Sequence, residues 1–259
     1  MPYAPPPGFY AAAPRHTPRP YATPTPSGAP SPKPTPLWDV EASLAYDSQF
    51  ADVLFNAEAR RDLVVYGTIV PYADLIVGYD TRSGVPGLSE IYNENAIIPS
   101  VGVRYPFGVY EYGELFAQAG YSFGLRGQLS YPETRYGFDY ARDYGASYGN
   151  AYPHAEVEAQ IADYSRFQGN VVAETQAYYD ASVTPWLRPM IGGDLGFDSH
   201  RDYSNNYVEA YAGFLVPLSP VFDFRFVGVE GTYLYRGVGR PAPAAYSSFR
   251  ITLQHEFPP

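Results

Sequence analysis

Cysteine is absent, which removes disulfides, thiolate metal sites and a cysteine nucleophile together. Lysine is nearly absent: Lys33 is the single one, and every other basic side chain is arginine. Charged residues make up 17% of the chain, against about 25% in an ordinary soluble domain. The formal net charge of −10 argues against nucleic acid as a partner. No apolar run reaches the roughly 18 residues of a membrane-spanning helix, and no window sustains a 3.6-residue apolar period. Catalytic signatures are missing as well. No nucleophile elbow, P-loop, dinucleotide fingerprint or H-E-x-x-H is present, and His154, His200 and His255 are scattered. Ser199 and His200 are sequence neighbours, so on a strand they point to opposite faces. Asp194 and Asp198 share a strand face but lie about 13 Å apart at ~3.3 Å per residue. No catalytic residue, no metal and no cofactor is expected.

What the chain does have is aromatic and alternating. Tyrosine occurs 27 times, and aromatics are 17% of the residues. Residues 1–36 hold 13 prolines among alanine, threonine and serine, a composition that forms neither helix nor ladder. They are expected to be a disordered tail or linker, with docking to a periplasmic or cell-wall partner as the alternative. No basic and apolar leader is visible at the start of the chain. Residues 37–259 read as strand after strand with turn-forming connections.

The stretch 155–182 is the clearest case. Glu156, Glu158 and Gln160 alternate with Val157, Ala159 and Ile161; after a Gly169-Asn170 turn, Glu174, Gln176 and Tyr178 alternate with Ala173, Thr175 and Ala177. Each arm runs about 10 residues, beyond the ~5–6 of globular strands and within the 9–11 of a transmembrane strand. About 12 strands are expected (10–14), in an all-β, antiparallel up-and-down transmembrane β-barrel behind the proline-rich tail. An even number places both ends on one side. A hairpin is expected at 52–59 and 63–70 around Arg60-Arg61-Asp62, irregular segments at 125–131 and 135–143, and a bulge near Phe226-Val227.

In a lipid-embedded barrel the polar face of each strand lines the lumen. Candidate lumen or glycan-contact residues are therefore Glu156, Glu158, Gln160, Glu174, Gln176, Tyr178, Asp223, Arg225, Glu230, Arg250 and Glu256. Tyr164, Tyr179, Trp186, Tyr233 and Tyr235 fall near strand ends, where aromatic girdles form. The final segment sets Phe249, Ile251, Leu253 and Phe257 against Arg250, Thr252, Gln254 and Glu256. A last amphipathic strand ending in phenylalanine resembles the assembly signal read by the barrel-assembly machinery of bacterial outer membranes.

Several segments, in order, are similar to the C-terminal barrel domain of the bacteriophage adsorption protein A family (NfrA-type). They are YADLIVGYDTR from Tyr72, IYNEN from Ile91 with GVRY from Gly102, LFAQAGY from Leu115, YARDYG from Tyr140, YSRFQGN from Tyr164 and EGTYL from Glu230. The resemblance spans about residues 40–257. It implies a relation in architecture to outer-membrane barrels of exopolysaccharide secretion, with phage attachment as incidental use. The expected function is an outer-membrane barrel that conducts or assists export of an exopolysaccharide. The alternatives are a non-transporting structural or adhesion barrel and, less favoured, a barrel lipid hydrolase. Expected partners are outer-membrane lipid and a polysaccharide.

Overall fold

A computed structural model describes residues 38–48, 52–63, 69–81, 95–107, 112–127, 129–144, 154–164, 170–181, 184, 186–199, 206–219, 222–234 and 245–257. The tail at 1–36 and Tyr235 lie outside them.

Twelve strands account for nearly all of this: β1 (Trp38–Asp47), β2 (Asp52–Asp62), β3 (Val70–Asp80), β4 (Ala96–Phe107), β5 (Tyr112–Gly124), β6 (Tyr131–Tyr144), β7 (His154–Tyr164), β8 (Asn170–Asp180), β9 (Arg188–Asp198), β10 (Tyr207–Ser219), β11 (Phe222–Tyr233) and β12 (Ala245–Phe257). Each pairs antiparallel with its sequence neighbours, and β1 pairs with β12, from Val40 opposite Phe257 to Asp47 opposite Arg250. The sheet is a closed up-and-down barrel. Closure leaves no edge strand with unpaired N–H and C=O groups.

The stagger of the pairing sets the dimensions. Carrying the registers round the ring returns to β1 about 20 residues from the start. With ~3.3 Å per residue and ~4.8 Å between strands, the strands tilt by roughly 50° and the barrel radius is about 14 Å. At that tilt a strand of about 12 residues rises ~25 Å, the height of the apolar band of a membrane barrel.

Alternation decides which side chains face out. On β4, Ile97, Pro99, Val101, Val103, Tyr105 and Phe107 are exposed while Ala96, Ile98, Ser100 and Arg104 are buried; β3 and β10 show the same pattern. Among the described side chains, the outer wall carries three charges: Arg61, Asp163 and Glu230. Arg61 and Asp163 are each one residue from a strand end. Asp163 accepts from the Tyr136 hydroxyl at 2.5 Å, and Glu230 from the Ser247 hydroxyl at 2.6 Å. Aromatics collect at both rims of this apolar wall. Tyr105, Phe107, Tyr179, Trp186 and Phe222 lie at the end where β1 begins and β12 finishes, and Tyr46, Tyr79, Tyr121, Phe123 and Phe197 ring the other. Stacked phenylalanines (Phe214 on Phe226 at 5.5 Å, Phe226 on Phe249 at 5.9 Å) cover the wall over β10–β12.

Three details differ from the expectations. Arg60-Arg61-Asp62 is the end of β2, not a turn, because Arg60 and Asp62 find partners of opposite charge inside the barrel. Residues 131–144 form one long strand. No bulge occurs at Phe226-Val227: β11 pairs with β12 without a shift from Phe222 to Thr232, and the irregularity lies instead at Pro217/Ser219 of β10.

Close packing relies on glycine at two kinds of place. Tyr72, Tyr211 and Tyr246 each lie over the glycine directly across from them, Gly102, Gly192 and Gly231, where a Cβ would meet the ring. At Gly213 a Cβ would instead meet backbone, the carbonyl of Phe226 and the Cα of Val227. A ring can swing aside and a ladder cannot. Gly213→Ala should therefore lower stability by about 1–3 kcal/mol, read as an earlier midpoint in urea unfolding in detergent. Val101→Arg, at a mid-strand outward position 61% exposed, should cost roughly 2–4 kcal/mol in a bilayer and nothing comparable in urea-free detergent. The Val101→Arg loss is read by heat-modifiable gel migration after refolding into lipid.

Candidate functional site

The candidate site is the interior. Among the described residues, eleven acids are buried (Glu41, Asp47, Asp52, Asp62, Asp74, Asp80, Glu114, Glu133, Asp139, Asp180 and Glu209) against four arginines (Arg60, Arg104, Arg135 and Arg225), and all of them face inward. Water reaches other inward positions in part, among them Asn56, Glu58, Gln118, Glu174, Gln176, Asp194, Tyr246 and Arg250.

A first knot forms on β2–β5 near the end where β1 begins and β12 finishes. Glu114 of β5 accepts from Arg60 of β2 at 2.7 Å and from Arg104 of β4 at 3.0 Å. Arg104 also grips Asp62 with two donors, Nε at 3.1 Å and Nη2 at 2.8 Å, the fork geometry that arginine alone supplies. The Arg60 guanidinium lies 5.5 Å from the ring centre of Tyr72. The Tyr72 hydroxyl donates to Gln118 at 2.8 Å. Arginines and carboxylates thus pair where little water reaches.

A second knot lies towards the opposite end, on β8–β12 and β1. Arg250 of β12 reaches Asp47 of β1 at 3.3 Å, Glu209 of β10 at 3.0 Å and Asp194 of β9 at 3.6 Å. Tyr246 donates to Glu209 at 2.5 Å, and Tyr207 donates to Glu174 at 2.6 Å. Between the knots, Tyr178, Met190, Tyr211, Leu215, Val227 and Val229 form an apolar cluster on the inner wall of β8–β11. Arg225 bonds Asp223 at 3.1 Å and lies 5.3 Å over the Tyr178 ring.

Of the lumen candidates, Glu174, Gln176, Tyr178, Asp223, Arg225 and Arg250 face inward. Glu156, Glu158 and Gln160 occupy inward register positions opposite Tyr178, Gln176 and Glu174, and Glu256 occupies one opposite Glu41; their side chains lie outside the described residues. Glu230 is a correction. With no bulge after Arg225, parity turns it to the outer wall. Tyr233 is a second correction: it is buried inside against Tyr246, ring centres 4.8 Å apart, and is no girdle residue. Tyr179 is exposed on the outer side at a rim, and Trp186 is exposed in the connection between β8 and β9; the side chain of Tyr164 is outside the described set. Phe249, Ile251 and Leu253 face outward, and Phe257 pairs with Val40. The Ser199 hydroxyl accepts the Val171 N–H at 2.9 Å. Sequence reading missed Arg60, Asp62, Arg104 and Glu209. The signal was present in β2, where Glu58, Arg60 and Asp62 are spaced by two on one face.

A wall dry outside and charged inside defines the class: a closed membrane-type β-barrel. No protein-family model matches the chain, and no curated protein does, so the phage adsorption resemblance stands without such a match. Among solved structures, the NanC porin aligns over 84% of this chain and 100% of its own, with 10% identity and a TM-score of 0.45. The COG4313 outer membrane channel from Pseudomonas putida F1 aligns over 89% and 100%, with 10% identity and a TM-score of 0.43. The KdgM porin in complex with oligogalacturonate aligns over 85% and 99%, with 4% identity and a TM-score of 0.41. At these TM-scores the likenesses carry no argument about what enters this barrel.

Glu114 anchors both arginines of the first knot. Glu114→Gln should leave two buried guanidinium groups short of charge and cost about 3–5 kcal/mol, seen as a lower urea midpoint. Glu133→Gln, which releases only Arg135, should cost less.

Proposed function

We propose that the chain spans the bacterial outer membrane and passes hydrophilic solutes through an acidic interior, with a saccharide chain as the cargo. The observation that carries the reading is the inversion of the wall. Buried charges face the axis, while aliphatic and aromatic groups face out over ~25 Å between two aromatic rims, the arrangement of a strand wall in lipid. Lipid is then the immediate partner. The outward Phe249, Ile251 and Leu253 of the last strand fit handling by the barrel-assembly machinery. β1 begins and β12 finishes at the end with the two-residue 220–221 connection, which would face the periplasm. The longer connections, 81–95 and 234–244, leave the opposite end and would be the ones a phage meets.

The excess of inward acids over arginines favours cations and neutral solutes over anions. The partly exposed Glu174 and Tyr246, held in place by the buried Tyr207 and Glu209, present a carboxylate and a ring, the chemistry that holds sugar hydroxyls and sugar faces. This supports export of a neutral or amine-bearing exopolysaccharide. A second reading, a structural barrel closed by its own side chains, is favoured by the apolar cluster on the inner wall of β8–β11. Residues 1–36 would then serve to anchor it to the cell wall.

Reconstitution in planar bilayers separates the two. The channel reading expects stepwise current, potassium favoured over chloride, and partial block by neutral oligosaccharides. A refolded, heat-modifiable barrel that passes no current assigns the protein to the structural reading.

A further inference from the structure

We propose that Arg250 is a specificity-determining residue that sets how strongly the interior prefers cations, a statement that rests on the channel reading. Arg250 projects from β12 and bears on carboxylates of three other strands, Asp47 on β1, Asp194 on β9 and Glu209 on β10. Its guanidinium thus spans the arc of wall from the β1–β12 closure to β9. The charge arrangement is layered. The side chains of Asp47 and Glu209 are 1% and 0% exposed, whereas Arg250 and Asp194 are 19% and 12% exposed. A solute in the barrel meets a guanidinium and one carboxylate in front of two acids that water does not reach.

The first knot offers no such surface. None of Arg60, Asp62, Arg104 and Glu114 is more than 7% exposed. The knot on β8–β12 and β1 is different: Arg250 bridges three acids, and the cation is at the water. The local field seen by an ion in the lumen then depends on that one positive charge. Removing it uncovers the acids. Neutralising its water-facing partner Asp194 leaves the guanidinium more dominant. Two substitutions in one network therefore move selectivity in opposite directions, which a purely structural role for Arg250 does not predict. Glu209 stays oriented in either case by the Tyr246 hydroxyl at 2.5 Å.

The experiment is the reversal potential of the full chain in planar bilayers under a potassium chloride gradient. Arg250→Gln should raise the potassium-to-chloride permeability ratio roughly twofold or more, and Asp194→Asn should lower it by a similar factor. Arg250→Lys should restore the wild-type ratio. Where Arg250→Gln fails to fold, Asp194→Asn carries the test, because it removes a partly exposed charge and keeps every buried one. Unchanged ratios in a conducting barrel overturn the role of Arg250 and leave the channel standing. A wild-type barrel that folds and does not conduct overturns both.

Discussion

Everything in this molecule depends on the pairing of β1 with β12. In hydrocarbon an unpaired peptide group costs several kcal/mol, so a sheet can enter lipid only when its first and last strands meet. Here eight successive residue pairs close the ring, from Val40–Phe257 to Asp47–Arg250. The closure is fastened again beside the strands: the Ser48 N–H donates to the Phe249 carbonyl at 3.0 Å, and the Phe249 N–H donates to the Ser48 hydroxyl at 2.8 Å. With the backbone satisfied, side chains are sorted by alternation alone, and the same rule fills the outside with aliphatic groups and the inside with charge.

The interior then has its own problem. Charges facing a partly dry space need partners, and the chain answers with arginine. A planar guanidinium bonds two or three carboxylates on different strands at once, as Arg104 and Arg250 do. Tyrosines complete the arrangement by lying over glycines on the next strand and ending in a hydroxyl that reaches a carboxylate or amide, as Tyr72 and Tyr246 do. The sheet, the aromatic ring and the ion pair are thus parts of one packing scheme.

Much of this was readable beforehand. Strand number, closure, and the inward faces of β8 and β12 follow from period-two alternation, which is strong where one face is apolar, as at Phe249, Ile251 and Leu253. Local rules failed where a partner distant in sequence changed the meaning of a residue. Arg60 and Asp62 read as a turn because their stabilising contacts, Glu114 and Arg104, lie on β5 and β4. Glu230 read as inward through alternation with a bulge at Phe226-Val227; the register of β11 with β12 runs unbroken there, and Ser247 supplies the bond. The steep stagger could not be read at all, since register is a property of strand pairs and not of strands.

The near absence of lysine has a consequence for how the interior responds to acid. Among the described inward side chains every cation is an arginine, which keeps its charge at any pH a cell meets. The carboxylates beside them lose their charge in acid. Acidification can therefore move the inner surface in one direction, from negative towards neutral, and no rise in pH above neutrality strips it of positive charge. The described inner wall thus carries positive charges that are fixed in place and number.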